Sequence, residues 1–245
     1  VSTNNSVYVD GGGDKVLFKL GYTRNEEKGI LPNSRLLKNM VNFGANYKVS
    51  DKISLNANLN VSKIDGRGRY GTGYSKYNIN QSFRQWWQTN VDVKELKDAY
   101  FRTGRNITWN WADPTKADGL YPIYTDNPYF IRYENYQTDT RYRYYGTANI
   151  SYDVTSWLNL LGRFSLDSYD ELEEERIAKG SVSVSSYSRF ERTFREYNYD
   201  MMANFNKDIT PDLNLRAVVG TNIRRNNMNS SYAITNGGLV NDKGY

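Results

Sequence analysis

The side chains best suited to recognising a ligand lie in one long central segment, residues 65–139. This segment holds four of the five tryptophans and combines aromatic rings with Asn, Asp and Arg. Aromatic faces beside such polar groups can stack on a sugar or an extended peptide, and the polar groups can hydrogen-bond to it. The alternative for each ring is packing within the loop itself. We predict that ligand or partner binding involves Trp86, Trp87, Trp109, Trp111, Tyr121, Tyr124 and Tyr129.

Covalent catalysis finds little support in the composition. The chain contains no His and no Cys, which removes Ser–His and Cys–His pairs, thiolate metal sites and the commonest acid–base side chain. The one carboxylate cluster lacks the spacing of a calcium loop and has no partner across a cleft, as a glycosidase would need. We interpret it as a solvated strand end with a charged loop, and we predict no enzyme activity, no cofactor and no metal. Its members are Asp170, Glu171, Glu173, Glu174 and Glu175.

Neither the glycine-rich stretch nor the net charge indicates a nucleotide or nucleic-acid partner. DGRGRYGTGY, residues 65–74, lacks the Lys-Ser/Thr ending and the strand-to-helix context of a phosphate-binding loop, so we interpret it as a flexible loop base. The net charge of +5 comes from 32 basic and 27 acidic residues that are interspersed along the chain. A nucleic-acid binder would concentrate its basic residues in a stripe.

Strict period-two alternation surrounds the central segment. In ISLNANLNVS, residues 53–62, apolar side chains face one way and Ser or Asn faces the other. Eight segments of this kind predict eight strands within residues of about 5–64 and 140–226. On the polar side we predict that a lumen is lined by Arg141, Arg143, Asn149, Arg163, Asp167 and Arg216.

The hydropathy excludes one class of membrane protein and is compatible with another. Mean hydropathy is -0.77, and no run approaches the roughly 18 consecutive apolar residues that a membrane helix needs. A transmembrane β-barrel shows a low average because lipid-facing and lumen-facing residues alternate. The 22 tyrosines favour a membrane boundary, where one end of the ring is apolar and the other is wet.

The connections between the predicted strands alternate between short and long. Outer-membrane barrels show this asymmetry, with tight periplasmic turns and long extracellular loops, whereas a soluble β-sandwich, the alternative, does not require it. We therefore predict an all-β fold, an antiparallel transmembrane β-barrel with long extracellular loops. The largest loop, 65–139, is expected to contain a helix from about Gln81 to Phe101.

Several stretches resemble a known family. They are VYVDGGGDKVLFKLGYTRNEEKGILPNS, KNMVNFGANYKVSDKISLNANLNVS, QWWQTNVDVKELKDAYF, the TWN at Thr108–Asn110 and the DNPYF at Asp126–Phe130. Together they resemble the middle of the barrel of SusC/RagA-type TonB-linked outer-membrane proteins of Bacteroidetes. The resemblance implies a 22-stranded barrel with a plugged lumen, of which this chain would supply a bit over a third. The plug, the TonB-box segment and the final strand are expected outside this stretch.

The resemblance also implies a function and partners. It implies TonB-dependent import of a nutrient, an oligosaccharide or a peptide, across the outer membrane of a Gram-negative bacterium. The implied partners are a SusD-like surface lipoprotein that closes over the barrel, TonB through parts outside this stretch, and outer-membrane lipid with lipopolysaccharide. One alternative is a non-transport scaffold or a surface- or secretion-associated barrel whose long loop binds protein. Another is a small, self-contained eight-stranded barrel.

Overall fold

Eight long strands dominate the computed structural model, which describes residues 1–69, 71–75 and 78–241. The strands are β1 (Ser2–Gly12), β2 (Val16–Lys28), β3 (Arg35–Lys48), β4 (Ile53–Arg67), β5 (Gln137–Thr155), β6 (Leu158–Ile177), β7 (Ser186–Thr210) and β8 (Leu213–Ile234). Between β4 and β5 lie α1 (Ile79–Gln81), a π-helical turn (Ser82–Trp86), α2 (Val93–Thr103) and α3 (Pro128–Glu134). In the described part of the chain, no helix is both long enough and apolar enough to cross a membrane.

The sheet is a simple meander. Each strand pairs antiparallel with the next strand in the chain, so the order across the sheet runs from β1 to β8. This arrangement confirms the predicted antiparallel all-β class. Within the described residues no pairing joins β8 back to β1, and the sheet is therefore open. The alternative of a closed eight-stranded barrel does not describe these strands.

Cross-strand register decides which side chains share a face, because directly opposite residues point to the same side of a sheet. Asn149 lies opposite Asn56 and Arg163, whereas Leu160 lies opposite Tyr152 and Ala203. We call the first side the polar face and the second the apolar face. The register places all six residues predicted to line a lumen on the polar face: Arg141, Arg143, Asn149, Arg163, Asp167 and Arg216.

The apolar face carries a band of nearly constant width. In β6 the band extends from Leu158 to Leu166, and in β7 it extends from Phe205 back to Tyr197. A strand needs about 9–11 residues to cross the hydrocarbon core, so the band has the width of a bilayer. Its side chains are half-exposed or exposed, and Met201 is 70% accessible. An apolar surface this large needs a partner that covers it, and the hydrocarbon core of a bilayer matches the width of the band.

The connections give the sheet a turn end and a loop end. Residues 13–15, 49–52, 156–157 and 211–212 form the short turns, and residues 29–34, 68–136 and 178–185 form the long loops. Hydroxyl side chains shape two of the turns. Ser50 Oγ accepts from the backbone N–H of Lys52 at 3.2 Å, and Thr155 Oγ1 accepts from that of Leu158 at 3.1 Å. The predicted alternation of short and long connections is confirmed.

The helix predicted from about Gln81 to Phe101 is interrupted. A π-helical turn ends at Trp86, and α2 begins only at Val93. The Asp92 side chain accepts from the backbone N–H of Lys94 at 2.8 Å and caps α2. At its other end α2 stops at Gly104, which has a left-handed φ of 65°. The prediction extended too far because the helical spacing of apolar residues continues across the break. The cap at Asp92 sets the start of α2.

The acidic cluster at Asp170–Glu175 lies within β6 and not in a loop, which corrects part of its interpretation. Alternation divides it, with Glu171, Glu173 and Glu175 on the polar face and Asp170 and Glu174 on the apolar face. The carboxylates on opposite faces therefore cannot converge on one ion. No group of three or more carboxylates in the described part of the chain is placed to hold a metal.

A pair of lysine substitutions tests the register in the complete barrel. Leu160→Lys puts a charge on the apolar face, and we expect the free energy of unfolding in lipid to fall by about 2–4 kcal/mol if the site lies near mid-membrane. Asn159→Lys puts it on the polar face near Asp153, whose carboxylate Asn159 already contacts at 2.7 Å, and should cost much less. Reversible unfolding in vesicles measures both, and the opposite ranking would show a register shifted by one residue.

Candidate functional site

The large loop, residues 68–136, folds around a buried asparagine. Asn127 is fully buried, and its Nδ2 donates to the carbonyls of Leu96 at 2.8 Å and Ile107 at 2.7 Å. Its Oδ1 accepts from the backbone N–H of Tyr129 at 2.8 Å and so caps α3, with Pro128 as the first helical residue. One side chain thus joins α2, α3 and the segment between them.

A second amide ties the large loop to the loop 178–185. Asn106 Nδ2 donates to Asp126 Oδ1 at 2.7 Å and to the carbonyl of Gly180 at 2.8 Å. Asp126 Oδ1 also accepts from the backbone N–H of Val182 at 2.7 Å. Asn106 and Asp126 are both buried, so these hydrogen bonds form away from water, where an unmade bond is costly. The DNPYF stretch, residues 126–130, therefore helps to hold the two loops together.

A third asparagine shapes a hairpin-like lobe at residues 110–125, which we call the aromatic lobe. Asn110 Oδ1 accepts from three successive backbone N–H groups, at 3.0, 2.8 and 3.2 Å. Trp111 forms a β-bridge with Pro122 across the lobe. The lobe presents Trp111, Tyr121 and Tyr124 with 42%, 59% and 69% of their surface exposed.

Other aromatic rings form the core of the loop. Tyr100, Phe130 and Ala178 are buried, and Tyr129 and Tyr133 pack against them. Burial raises the pKa of the Tyr100 phenol, and the neighbouring Glu134 carboxylate raises it further because it accepts the phenolic proton in a hydrogen bond of 2.9 Å. The phenol therefore stays protonated and continues to donate. Tyr129, predicted as a binding residue, contributes here to the core.

The tryptophans divide into exposed and half-buried rings. Trp86 is 62% exposed on the π-helical turn. Trp87 is half-buried against Phe83, with ring centres 4.6 Å apart, and Trp109 is also half-buried. The indole N–H groups of Trp87 and Trp109 are buried without an acceptor in the described part of the chain. Among the seven predicted aromatics, the structure therefore exposes Trp86, Trp111, Tyr121 and Tyr124.

Arg132 fastens the large loop to the sheet. The guanidinium is buried and donates to the carbonyls of Pro32 at 2.8 Å and Gly68 at 2.7 Å. Desolvation lowers its pKa, but an arginine stays charged. Gly68 has a φ of 76°, and a Cβ there would meet Arg132 and the carbonyl of Asn33. This glycine allows close packing, which corrects its interpretation as part of a flexible loop base.

The polar face carries ordered ion pairs. Arg143 binds Asp167 through two hydrogen bonds of 2.9 and 2.7 Å, and Arg163 binds Asp200 at 2.8 Å. The remaining predicted residues make partner contacts along the same face: Arg141 with Glu171, Asn149 with Asn56, and Arg216 with Asn214. Each arginine charge is met by a neighbouring carboxylate or amide. The face is polar and highly hydrogen-bonded, which suits a wet lumen.

The sequence-based prediction missed aromatic residues on the polar face. Tyr169 and Phe194 lie directly opposite each other on it and stack with ring centres 5.2 Å apart. The Arg141 guanidinium lies 4.9 Å from the centre of the Tyr169 ring, within cation–π range. The sequence does carry a signal for these two residues. Both occupy positions where the strand pattern predicts a polar side chain, so each of them interrupts the alternation.

The comparisons with known proteins agree with this geometry. No protein-family model and no curated protein matches the chain. The structure of the RagAB peptide importer in its closed-closed state matches with a TM-score of 0.67 and 11% identity, covering 97% of this chain and 26% of that one. The open-open state gives 0.67 and 12%, with coverages of 98% and 26%. The ferric preacinetobactin receptor BauA of Acinetobacter baumannii gives 0.55 and 10%, with coverages of 99% and 34%.

These matches establish the fold. The chain is similar throughout to part of the barrel of TonB-dependent outer-membrane transporters, and it spans 26% of the RagAB chain it matches. At 10–12% identity the likeness concerns architecture only. The predicted resemblance to SusC/RagA-type barrels is confirmed at that level, and with it the transmembrane barrel as fold class.

Removal of the Asn110 amide tests whether it holds the aromatic lobe. Asn110→Ala leaves the backbone N–H groups of Tyr124 and Thr125 without their acceptor, whereas Ile123 N–H keeps its bond of 3.0 Å to the Asn110 carbonyl. The lobe should be destabilised locally by about 1–3 kcal/mol. Limited trypsinolysis after the exposed Lys116 should accelerate, while the unfolding of the barrel should not change. Asn90→Ala, at an exposed position, is the control. Equal cleavage rates in both variants would show that the lobe holds its shape without this amide.

Proposed function

We propose that this chain contributes to the TonB-dependent import of a nutrient, an oligosaccharide or a peptide, through the outer membrane of a Gram-negative bacterium. The observation that carries the proposal is a barrel sheet with two chemically distinct faces. Ordered polar groups such as the Arg143–Asp167 pair line one face, and a bilayer-wide apolar band covers the other. Transporter and receptor structures share this fold, which favours import over catalysis.

The proposed ligand route has two parts. The polar face, with its six predicted residues from Arg141 to Arg216, forms one wall of the passage. At the loop end, the exposed rings of Trp86, Trp111, Tyr121 and Tyr124 offer surfaces for stacking. The buried amides Asn127, Asn106 and Asn110 hold the loop, and a preorganised surface loses less entropy on binding.

We further propose that a SusD-like lipoprotein closes over this end and that TonB acts through other parts of the protein. The aromatic lobe supports a lid contact because Trp and Tyr are enriched at protein interfaces. The same observation favours a second candidate function, a non-transport barrel whose large loop binds protein. The two candidates differ in what the lobe contacts and in whether a solute crosses the membrane.

Tag insertion tests the orientation of the sheet. We propose that the loop end is extracellular, so a short epitope between Ala117 and Asp118 should be labelled in intact cells. This position is exposed and leaves the Asn110 hydrogen bonds in place. A tag between Asp51 and Lys52, at the turn end, should be labelled only after the outer membrane is permeabilised. The reverse labelling pattern would reject the proposed orientation.

Alanine substitutions in the aromatic lobe separate the candidate functions. Trp111→Ala and Tyr124→Ala should each weaken ligand uptake by about 2- to 13-fold, which corresponds to about 0.5–1.5 kcal/mol for a lost aromatic contact. If the lobe instead holds a lid, co-purification of the lipoprotein should weaken by a similar factor. Val184→Ala, which removes an exposed apolar side chain outside the lobe, is the control. Unchanged uptake and unchanged co-purification would remove these residues from the site.

A further inference from the structure

Beyond the apolar band, the loop end of the apolar face is unusually basic on three adjacent strands. The apolar-face positions of β2, β3 and β4 past Tyr22, Val41 and Val61 hold five basic residues and two acidic ones. The basic residues are Arg24, Lys28, Arg35, Lys63 and Arg67, and the acidic ones are Glu26 and Asp65. We call this the basic surface. It lies on the side opposite to the proposed ligand route.

The outermost row of the basic surface places like charges side by side. Lys28 lies directly opposite Arg35, and Arg35 lies directly opposite Arg67. Like charges in such positions destabilise a sheet. Glu26 Oε1 lies 3.0 Å from Arg35, but Lys28 and Arg67 have no carboxylate within 4.0 Å in the described part of the chain. This row therefore has the arrangement of a site whose counter-charge comes from outside the chain.

The depth of the positive charges narrows the choice of partner. Lys63 and Arg24 follow the apolar band at the next apolar-face position, whereas Lys28 lies six residues past Tyr22. At about 3.4 Å per residue, the basic surface extends about 20 Å along the strand from the band. The phosphate of an ordinary phospholipid lies close to the apolar edge and reaches only the first row. A headgroup with anionic groups at several depths fits both rows.

We propose that the basic surface binds the phosphorylated saccharide headgroup of lipopolysaccharide in the outer leaflet. The proposal rests on the outer-membrane location and loop-end orientation proposed above. The acyl chains lie along the apolar band, and the phosphates nearest the band contact Arg24 and Lys63, which also lie 3.6 and 3.5 Å from Glu26 and Asp65. Anionic groups of the outer saccharide contact Lys28 and Arg67. Tyr22 marks the boundary, and its hydroxyl donates to Asn39 Oδ1 at 2.8 Å.

A charge-matched pair of double variants of the complete transporter tests the proposal. Lys28→Gln with Arg67→Gln removes two charges from the basic surface. Lys19→Gln with Lys38→Gln removes two charges from the polar face of β2 and β3. Binding of purified lipopolysaccharide to the detergent-solubilised protein should weaken by about 5-fold per charge, or about 25-fold, in the first variant. It should change little in the second. Unchanged heat-modified mobility in electrophoresis confirms that both barrels are folded.

Three outcomes would overturn the proposal. The first is an equal loss in both double variants, because attraction by net charge needs no site. The second is binding of phosphatidylglycerol or dephosphorylated lipopolysaccharide as tightly as the native lipid. The third is an acidic protein that co-purifies with the unaltered transporter and is lost from the first variant while lipopolysaccharide binding persists. Uptake measured on the same variants keeps the proposed function separate, since failure of import in the unaltered protein would leave the lipid result standing.

Discussion

Backbone hydrogen bonding across a medium without water is the constraint on which the other features depend. In hydrocarbon, an unpaired N–H or C=O costs several kcal/mol, so a strand must be paired along its whole length inside the bilayer. Between neighbouring strands from β1 to β8, the continuous antiparallel pairing of the meander meets this requirement. Register then follows, because a shift of one residue would move each apolar side chain to the polar face. The chemistry of both faces is thus a consequence of pairing.

The large loop must also provide hydrogen-bond partners for its buried backbone groups, and it does so by different means. Its segments are too irregular to satisfy one another through a ladder, so asparagine side chains supply the partners. Asn127 donates to two carbonyls and caps the start of α3. Asn110 accepts from three backbone N–H groups. Both are buried, and an amide has the donors and acceptor needed for several such bonds. Because these bonds hold the backbone, the rings of the aromatic lobe need not collapse into a core.

The fold could be predicted far better than the site, for physical reasons. A strand with two different environments repeats its pattern every two residues, so alternation in β4 and β6 indicated both the strands and their faces. The loop has no period. Whether Tyr129 packs in the core or Tyr124 reaches solvent depends on contacts between segments distant in sequence, such as Arg132 with Pro32 and Gly68. The carbonyls that bind the Asn127 side chain belong to Leu96 and Ile107, far away in the sequence, and no sequence pattern identifies such partners.

The lapses in alternation carry more information than the regular positions. A residue that obeys the pattern reports only its face, whereas an exception needs a separate cause. Tyr169 and Phe194 break the polar face and are accounted for by their stacking and by Arg141. Lys28, Arg35 and Arg67 end the apolar face with three adjacent positive charges. Among the residues that the structure describes, only the Glu26 carboxylate lies within 4.0 Å of one of them, Arg35. The described residues satisfy the first exception, but they leave Lys28 and Arg67 without a carboxylate partner, so the second exception is the one that points to a partner.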